Sequence, residues 1–558
     1  MDFGLIDYVI FILYACVILS IGLWVSRKGE KTSEDYFLAS KSLPFWAIGA
    51  SLIAANISAE QFIGMSGSGF ALGLAIVSYE WMAALTLLIV GKFFLPVFIK
   101  QELYTIPEFV EKRFGTNLKT ILAVFWIGLF VFVNLTSVLY LGATALDTIM
   151  GDGDGSIFLY CLFGLALFAA AYSLYGGLAA VAWTDVVQVV LLIVGGVITT
   201  VIALQHVSPD GGIWTGFGTI FEKVPEKFSM ILQKGEVITP NGKDAWWDLP
   251  GLAVLVGGLW VANLYYWGFN QYIIQRTLAA KSLREAQRGI ALAAFLKLII
   301  PVIVVVPGIV AFVMNVGPDG LVTAQSADPS FIGEGGEIIN DNAAPWLIRT
   351  FVPVGLKGLV LAALSAAIVS SLASILNSTA TIFTMDIYKP YINKNAPESR
   401  LVNVGRAAAT IGLIIAILIA PQLKNLGQVF QYIQEYTGVV SPGILAVFML
   451  GLFWKKTTNK AAIFGVVLSI PIALYFKVAP NNWSDNALFL NLPFLDQMLW
   501  TCILSMGIMV VVSYMETKGA DNEKGIVLSK ELFATGPVFN ISAFFICLIL
   551  VALYAFFW

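Results

Sequence analysis

The run Asn56-Ile57-Ser58-Ala59-Glu60-Gln61 places two amides, a hydroxyl and a carboxylate inside an otherwise apolar stretch from about Leu43 to Gly73, and Gly64, Gly67 and Gly69 follow at once. In hydrocarbon every polar group must find a partner within the protein, so such a run is tolerated where a helix breaks around a cavity. A second interruption, Asn263-Leu264-Tyr265-Tyr266-Trp267-Gly268-Phe269-Asn270-Gln271, mixes amides with aromatic rings and has Arg276 shortly after it. That mix suits a face that stacks a ring-shaped solute and hydrogen-bonds its edges; helix-to-helix contact through amides and interfacial aromatics is the plainer alternative.

Isolated polar residues elsewhere raise the same question. Glu80 and Lys297 each stand deep in apolar sequence, and an ionisable group at that depth faces protein, water or ligand unless it reaches a membrane surface. Gln428, Gln431 and Gln434, spaced three apart with Glu435 beside the last, line roughly one helical face, either toward a polar cavity or at a helix start near the surface. Ser370, Ser371 and Ser374 lie within Ala366-Ala367-Ile368-Val369-Ser370-Ser371-Leu372-Ala373-Ser374. Neutral oxygens hold hard cations, so adjacent hydroxyls beside carbonyls freed by a broken helix form a candidate cation site; close helix packing by small residues is the competing reading. Asp185, after Trp183-Thr184, would attract a cation leaving that site or act as an N-terminal helix acid.

These residues need elements to hold them. With 58% hydrophobic and 12% charged residues among 558, the apolar runs are too long and too numerous for a soluble core. Windows of about 20 residues give fourteen candidate spans, near 6–26, 44–68, 75–98, 120–149, 157–174, 181–205, 251–275, 289–315, 345–386, 403–422, 427–452, 461–479, 496–515 and 537–557. The ninth is too long for one span, and Arg349 and Lys357 place its first part outside the hydrocarbon. The first lacks a basic leader and a small-residue cleavage site, so it reads as a retained span.

Basic residues gather in loops of one parity: Arg27, Lys28, Lys31 and Lys41; Lys100, Lys112, Arg113 and Lys119; Arg276, Lys281, Arg284 and Arg288; and three later groups ending with Lys518, Lys524 and Lys530. The positive-inside rule makes those loops cytoplasmic and puts both termini outside. Setting the first span aside leaves two five-span units of opposite orientation, each opening with an interrupted helix, which is the pattern of an inverted-repeat transporter. The expected division is 1–43 for an extra N-terminal helix and cytoplasmic loop, 44–205 and 251–452 for the two repeats, 206–250 for an extracellular loop, and 453–558 for three peripheral C-terminal helices.

Several function classes are disfavoured. A single His206, no Cys/His or clustered-carboxylate spacing and no GxxxxGK[ST] motif leave no basis for an enzyme or an ATP-driven pump. A net charge of −3 with dispersed Lys and Arg provides no face for nucleic acid. Cys16, Cys161, Cys502 and Cys547 all fall in apolar segments and read as buried small hydrophobes.

The chain resembles bacterial sodium/glucose-type cotransporters of the solute:sodium symporter family in long runs: ASLIAANISAEQFIGMSGSG from Ala50, YTIPEFVEKRF from Tyr104, WVANLYYWGFNQYIIQRTLAAKS from Trp260, AAIVSSLASILNSTATIFTMDIYK from Ala366 and FQYIQEYTG from Phe430. The resemblance implies an all-α polytopic membrane fold of the leucine-transporter type with broken second and seventh helices. It implies sugar contacts at Gln61, Glu80, Asn263, Lys297 and Gln434, an inner gate at Tyr266 with Trp267, and an outer gate at Met65, Tyr79 and Phe430. For sodium it implies the carbonyls of Ala54, Ile57 and Ala367 with the hydroxyls of Ser370 and Ser371, and Asp185 on the exit route. Phe130 stands where the resembled bacterial protein has Tyr.

The expectation is therefore a multi-pass protein of the bacterial inner membrane that imports a neutral hexose, galactose or glucose, with Na⁺ as coupling ion and the lipid bilayer as its surroundings. Symport of an amino acid, a carboxylate or a polyol is the nearest alternative, and a membrane sugar sensor that does not transport is another.

Overall fold

A computed structural model describes residues 4–26, 32–58, 60–151, 155–318, 320–323, 325–333, 335–425, 429–482 and 491–558. Among them the ordered elements are helices, with isolated bridges but no β-strand. Eleven helices are long and apolar enough to cross a membrane, or twelve if the bent pair Ala245–Val256 and Gly258–Phe269 forms one span. Two further expected spans fall on the shorter apolar helices Phe45–Asn56 and Phe158–Ala171. A helix of 12 residues rises only about 18 Å, short of a hydrocarbon core of about 30 Å.

The elements that matter for the site are α1 (Leu5–Ser26), α2 (Phe45–Asn56), α3 (Met65–Leu72), α4 (Ser78–Ile89), α5 (Phe158–Val207), α6 (Gly258–Phe269), α7 (Gln271–Leu278), α8 (Leu283–Asn315), α9 (Leu356–Ile382), α10 (Val429–Phe453), α11 (Phe494–Thr517) and α12 (Pro537–Phe556). The first interruption lies where the sequence places it. α2 stops at Asn56, Ile57 leaves helical geometry at φ −76, ψ 81, and one wide turn, Glu60–Gly64, leads into α3.

The second interruption falls at the end of its run, at Asn270, and a bend that the sequence did not announce precedes it at Gly257. The helix runs unbroken through Asn263 to Phe269, and the breaks fall at its two ends: a 76° bend at Gly257 and an extended residue at Asn270 (φ −81, ψ 122). Amides and aromatics inside α6 keep their backbone hydrogen bonds, so polarity alone does not interrupt a helix whose side chains face a cavity. The long ninth window divides as anticipated, into Ala343–Phe351 and α9. α5, 50 residues long, turns at Gly177 (φ 55), which separates the short apolar helix Phe158–Ala171 from Gly177–Val207, long enough to cross a membrane.

Packing follows from small residues. α8 crosses α2, α3 and α4, and at Gly308 a Cβ would lie 2.0 Å from the Ser66 carbonyl, so the helices touch backbone to backbone. α9 is buried almost throughout and packs on α5. α1 and α12 stand on the outside with large apolar side chains exposed. Cys16 and Cys547 are exposed there, not buried as expected, because a lipid-facing helix does not hide its apolar side chains from its surroundings.

Candidate functional site

Two polar centres meet at the break between α2 and α3. The first is a cavity lined by Asn56, Gln61, Tyr79, Glu80, Asn263, Tyr266, Trp267, Asn270, Gln434 and Ser441, with Met498 of α11 at its edge. Only about 70 Å³ is open in this conformation, room for a few waters but less than the few hundred Å³ of a typical small-ligand pocket.

Its charges are paired. Lys297 Nζ on α8 donates to Glu80 Oε2 on α4 at 2.5 Å and to Asn56 Oδ1, and lies 5.0 Å from the Trp267 ring centroid. Both charged groups are buried, which is tolerated because each finds an opposite charge. Lys297, expected as a direct contact, does not line the cavity in this conformation and is bonded to Glu80 and Asn56, which do. Asn56 in turn donates from Nδ2 to the Tyr266 hydroxyl at 3.1 Å, which also accepts from Tyr272 at 2.9 Å.

Three polar atoms of cavity-lining residues are buried with no hydrogen-bond partner: Gln61 Oε1, Asn270 Oδ1 and Ser441 Oγ. Leaving a buried polar group unsatisfied costs about 1–3 kcal/mol. Their convergence on one cavity marks a place where a ligand supplies the partners. Gln434 lines the cavity from α10, whereas Met65 is fully buried and does not line it. The side chain of Phe430 lies outside the described residues, as do those of Gln428 and Gln431.

The second centre lies where α2 ends against α9. Ala54, Ile57, Ala367, Ser370 and Ser371 are all buried. Ser371 Oγ donates to the Ala55 carbonyl at 3.2 Å, in the last turn of α2, and Ser370 Oγ donates to Asp185 Oδ1 at 2.5 Å. Asp185 is therefore in contact with the serine pair. Its other oxygen accepts from Ser51 Oγ and pairs with Arg276 Nη2 at 3.4 Å, and Arg276 also donates to the Ser51 carbonyl and to Ser374 Oγ. Hydroxyls and the carbonyls of a last helical turn are hard neutral donors, the kind that suit a small alkali cation. No group of three or more His, Cys, Asp or Glu side chains placed to hold a metal ion occurs among the described residues.

Sequence reasoning did not assign Asn56, Asn270, Ser441, Ser51 or Arg276 to the site. Asn56, Asn270 and Arg276 stood in or beside runs already marked as interruptions, which was a usable signal. Ser51 and Ser441 carried none, since a single serine in an apolar helix is ordinary.

Residues 36–469 match the model described as the sodium:solute symporter family. The chain belongs to that family. It is 58% identical over 556 residues to the sodium/glucose cotransporter of Vibrio parahaemolyticus, covering 99% of this chain and 98% of that one. It is 34% identical over 474 residues to the sodium/myo-inositol cotransporter 2 of Homo sapiens, covering 84% and 69%. A structure described as the substrate-bound outward-open state of a Na⁺-coupled sialic acid symporter superposes with a TM-score of 0.75 at 24% identity, covering 94% of this chain and 100% of that one. At that identity the likeness shows the fold alone, an all-helical one.

Proposed function

We propose that this family member is a sodium-coupled symporter that imports a neutral hexose, galactose or glucose, by alternating access. The observation that carries the reading is the cavity at the helix break: three unpartnered polar atoms in a space whose fixed charges, Glu80 and Lys297, already neutralise each other. Such a site matches a solute rich in hydroxyls and without net charge, because a carboxylate substrate would call for an unpaired cation. The near-full-length identity with a sodium/glucose cotransporter supports the same substrate class.

In this reading Gln61, Glu80, Asn263 and Gln434 contact the sugar, and Lys297 acts through Glu80 and Asn56. Tyr266 with Trp267 forms the inner gate, and Met65, Tyr79 and Phe430 the outer one. Sodium is held by the carbonyls of Ala54, Ile57 and Ala367 and the hydroxyls of Ser370 and Ser371, and leaves past Asp185. Sodium ties α2 to α9, and the same broken helix presents Gln61 to the sugar, so the two ligands are coupled through one element. The fourteen-span arrangement with 44–205 and 251–452 as inverted repeats, and an inner-membrane location with both termini periplasmic, belong to this proposal.

The energetics suffice. One cation crossing 100 mV yields about 2.3 kcal/mol, and a tenfold sodium gradient adds about 1.4 kcal/mol. Together, roughly 3.7 kcal/mol supports a sugar gradient of several hundredfold at one-to-one coupling. Uptake of radiolabelled galactose and glucose into proteoliposomes under an imposed sodium gradient tests the reading, with myo-inositol as competitor. Accumulation that persists when potassium replaces sodium would refute it, and preferential uptake of myo-inositol would reassign the substrate to a polyol.

A further inference from the structure

The stretch between α5 and α6 carries a buried lysine that the site does not use. Lys227, in the single turn Pro225–Phe228, is only 2% exposed. Its Nζ donates to the carbonyls of Phe70 at 3.0 Å and Ala71 at 2.9 Å, in the last turn of α3, and lies 3.9 Å from the centroid of the Phe312 ring on α8. An ammonium has three donors, and two carbonyls and one ring face account for them. The last carbonyls of a helix have no helical partner, and a positive charge there is favoured by the helix dipole. The approach is close enough to require glycine: Gly73 has φ +81, and a Cβ there would lie 2.3 Å from the Lys227 carbonyl.

The turn is anchored on its far side. The Met230 amide donates to the Phe557 carbonyl at 2.8 Å, and Phe228 stacks on the Phe557 ring just beyond α12. α12 is fixed to α4 by the Tyr554 hydroxyl on Ser78 Oγ at 3.2 Å and by Tyr554 against Trp81. A chain of contacts thus runs from α12 through this turn to the outer end of α3, the half-helix that begins at the buried Met65.

We propose that Lys227 is a positioning residue, a clasp that holds α3, the continuation of the turn that brings Gln61 to the cavity, and must release for the cavity to open outward. The proposal rests on the alternating-access reading above. Its test is independent of transport: the rate at which a membrane-impermeant charged thiol reagent labels Met65→Cys in reconstituted protein at fixed sodium. Lys227→Met should raise that rate about tenfold, the shift that follows from losing the two bonds to the Phe70 and Ala71 carbonyls. Phe312→Leu, which removes the ring face under the ammonium and the edge contact with Phe70 but leaves both carbonyl bonds, should raise it about threefold. In protein with Met65 intact, Lys227→Met should lower both the maximal uptake rate and the sodium concentration for half-maximal uptake, whereas a fold defect lowers the rate alone. Labelling equal to the parent in both variants would overturn the clasp, and if Lys227→Met does not fold, Phe312→Leu decides alone. Uptake without sodium dependence in the unaltered protein would instead overturn the transport reading and leave the labelling result standing.

Discussion

Glu80 and Lys297 stand 217 residues apart and meet at 2.5 Å. Removing one partner of a buried pair strands the other, at a cost of about 3–5 kcal/mol, while replacing both with neutral groups is often tolerated. Lys297→Met should therefore lower the thermal midpoint in detergent strongly, and adding Glu80→Gln should recover much of the loss; a double variant no more stable than the single would contradict the pairing. Gln61→Leu leaves folding intact and removes an acceptor, so sugar affinity should fall about tenfold, read by equilibrium binding at saturating sodium. Lys227 provides a pH signature. Burial pulls its ammonium down to about 7, so in the clasped state it binds its proton less tightly than a released lysine in water. Glu226 is the charged neighbour acting on it, and neither α3 nor the Phe312 turn carries a titratable side chain. Raising the pH from 7 toward 9 then favours the clasp, and the labelling ratio of Lys227→Met to parent, in which the thiol's own titration cancels, should grow over that window. A flat ratio would count against release into water.

At the scale of elements, the contact between α3 and α8 depends on the absence of side chains. Gly308→Ala would set a Cβ 2.0 Å from the Ser66 carbonyl. Backbone cannot yield as a flexible side chain can, so stability should fall by about 1–3 kcal/mol, with Met65→Cys labelling raised because α3 is displaced. A melt unchanged by this substitution would show that the two helices are less tightly seated. Broken helices were partly legible at this scale. The run at Asn56 announced its break through polarity and glycine together. The run from Asn263 to Gln271 has similar polarity, yet α6 continues through it as far as Phe269 and breaks only at Asn270, with a bend ahead of the run at Gly257, because polar side chains reveal that a cavity is near while backbone geometry decides where the helix stops.

In the proposed reading the whole molecule couples its two centres through one break, which predicts a stability linkage. A ligand that binds only the folded state stabilises by about 2.7 kcal/mol at one hundred times its dissociation constant. Sodium should accordingly raise the thermal midpoint over that in potassium, and Ser371→Ala should abolish the sodium increment; retention of the full increment would remove Ser371 from the cation site. From sequence alone came the membrane class, the apolar spans and the residues Gln61, Glu80, Asn263, Lys297, Gln434, Ser370 and Ser371, because burying polarity in hydrocarbon is costly enough that each instance stands out against its neighbours. Only tertiary structure decided which of these meet: Lys297 with Glu80 and Asn56, Asp185 with Arg276 and Ser370, and Lys227 with the end of α3. Partnership across hundreds of residues leaves no local pattern, since it depends on how close glycine and small residues let the helices approach.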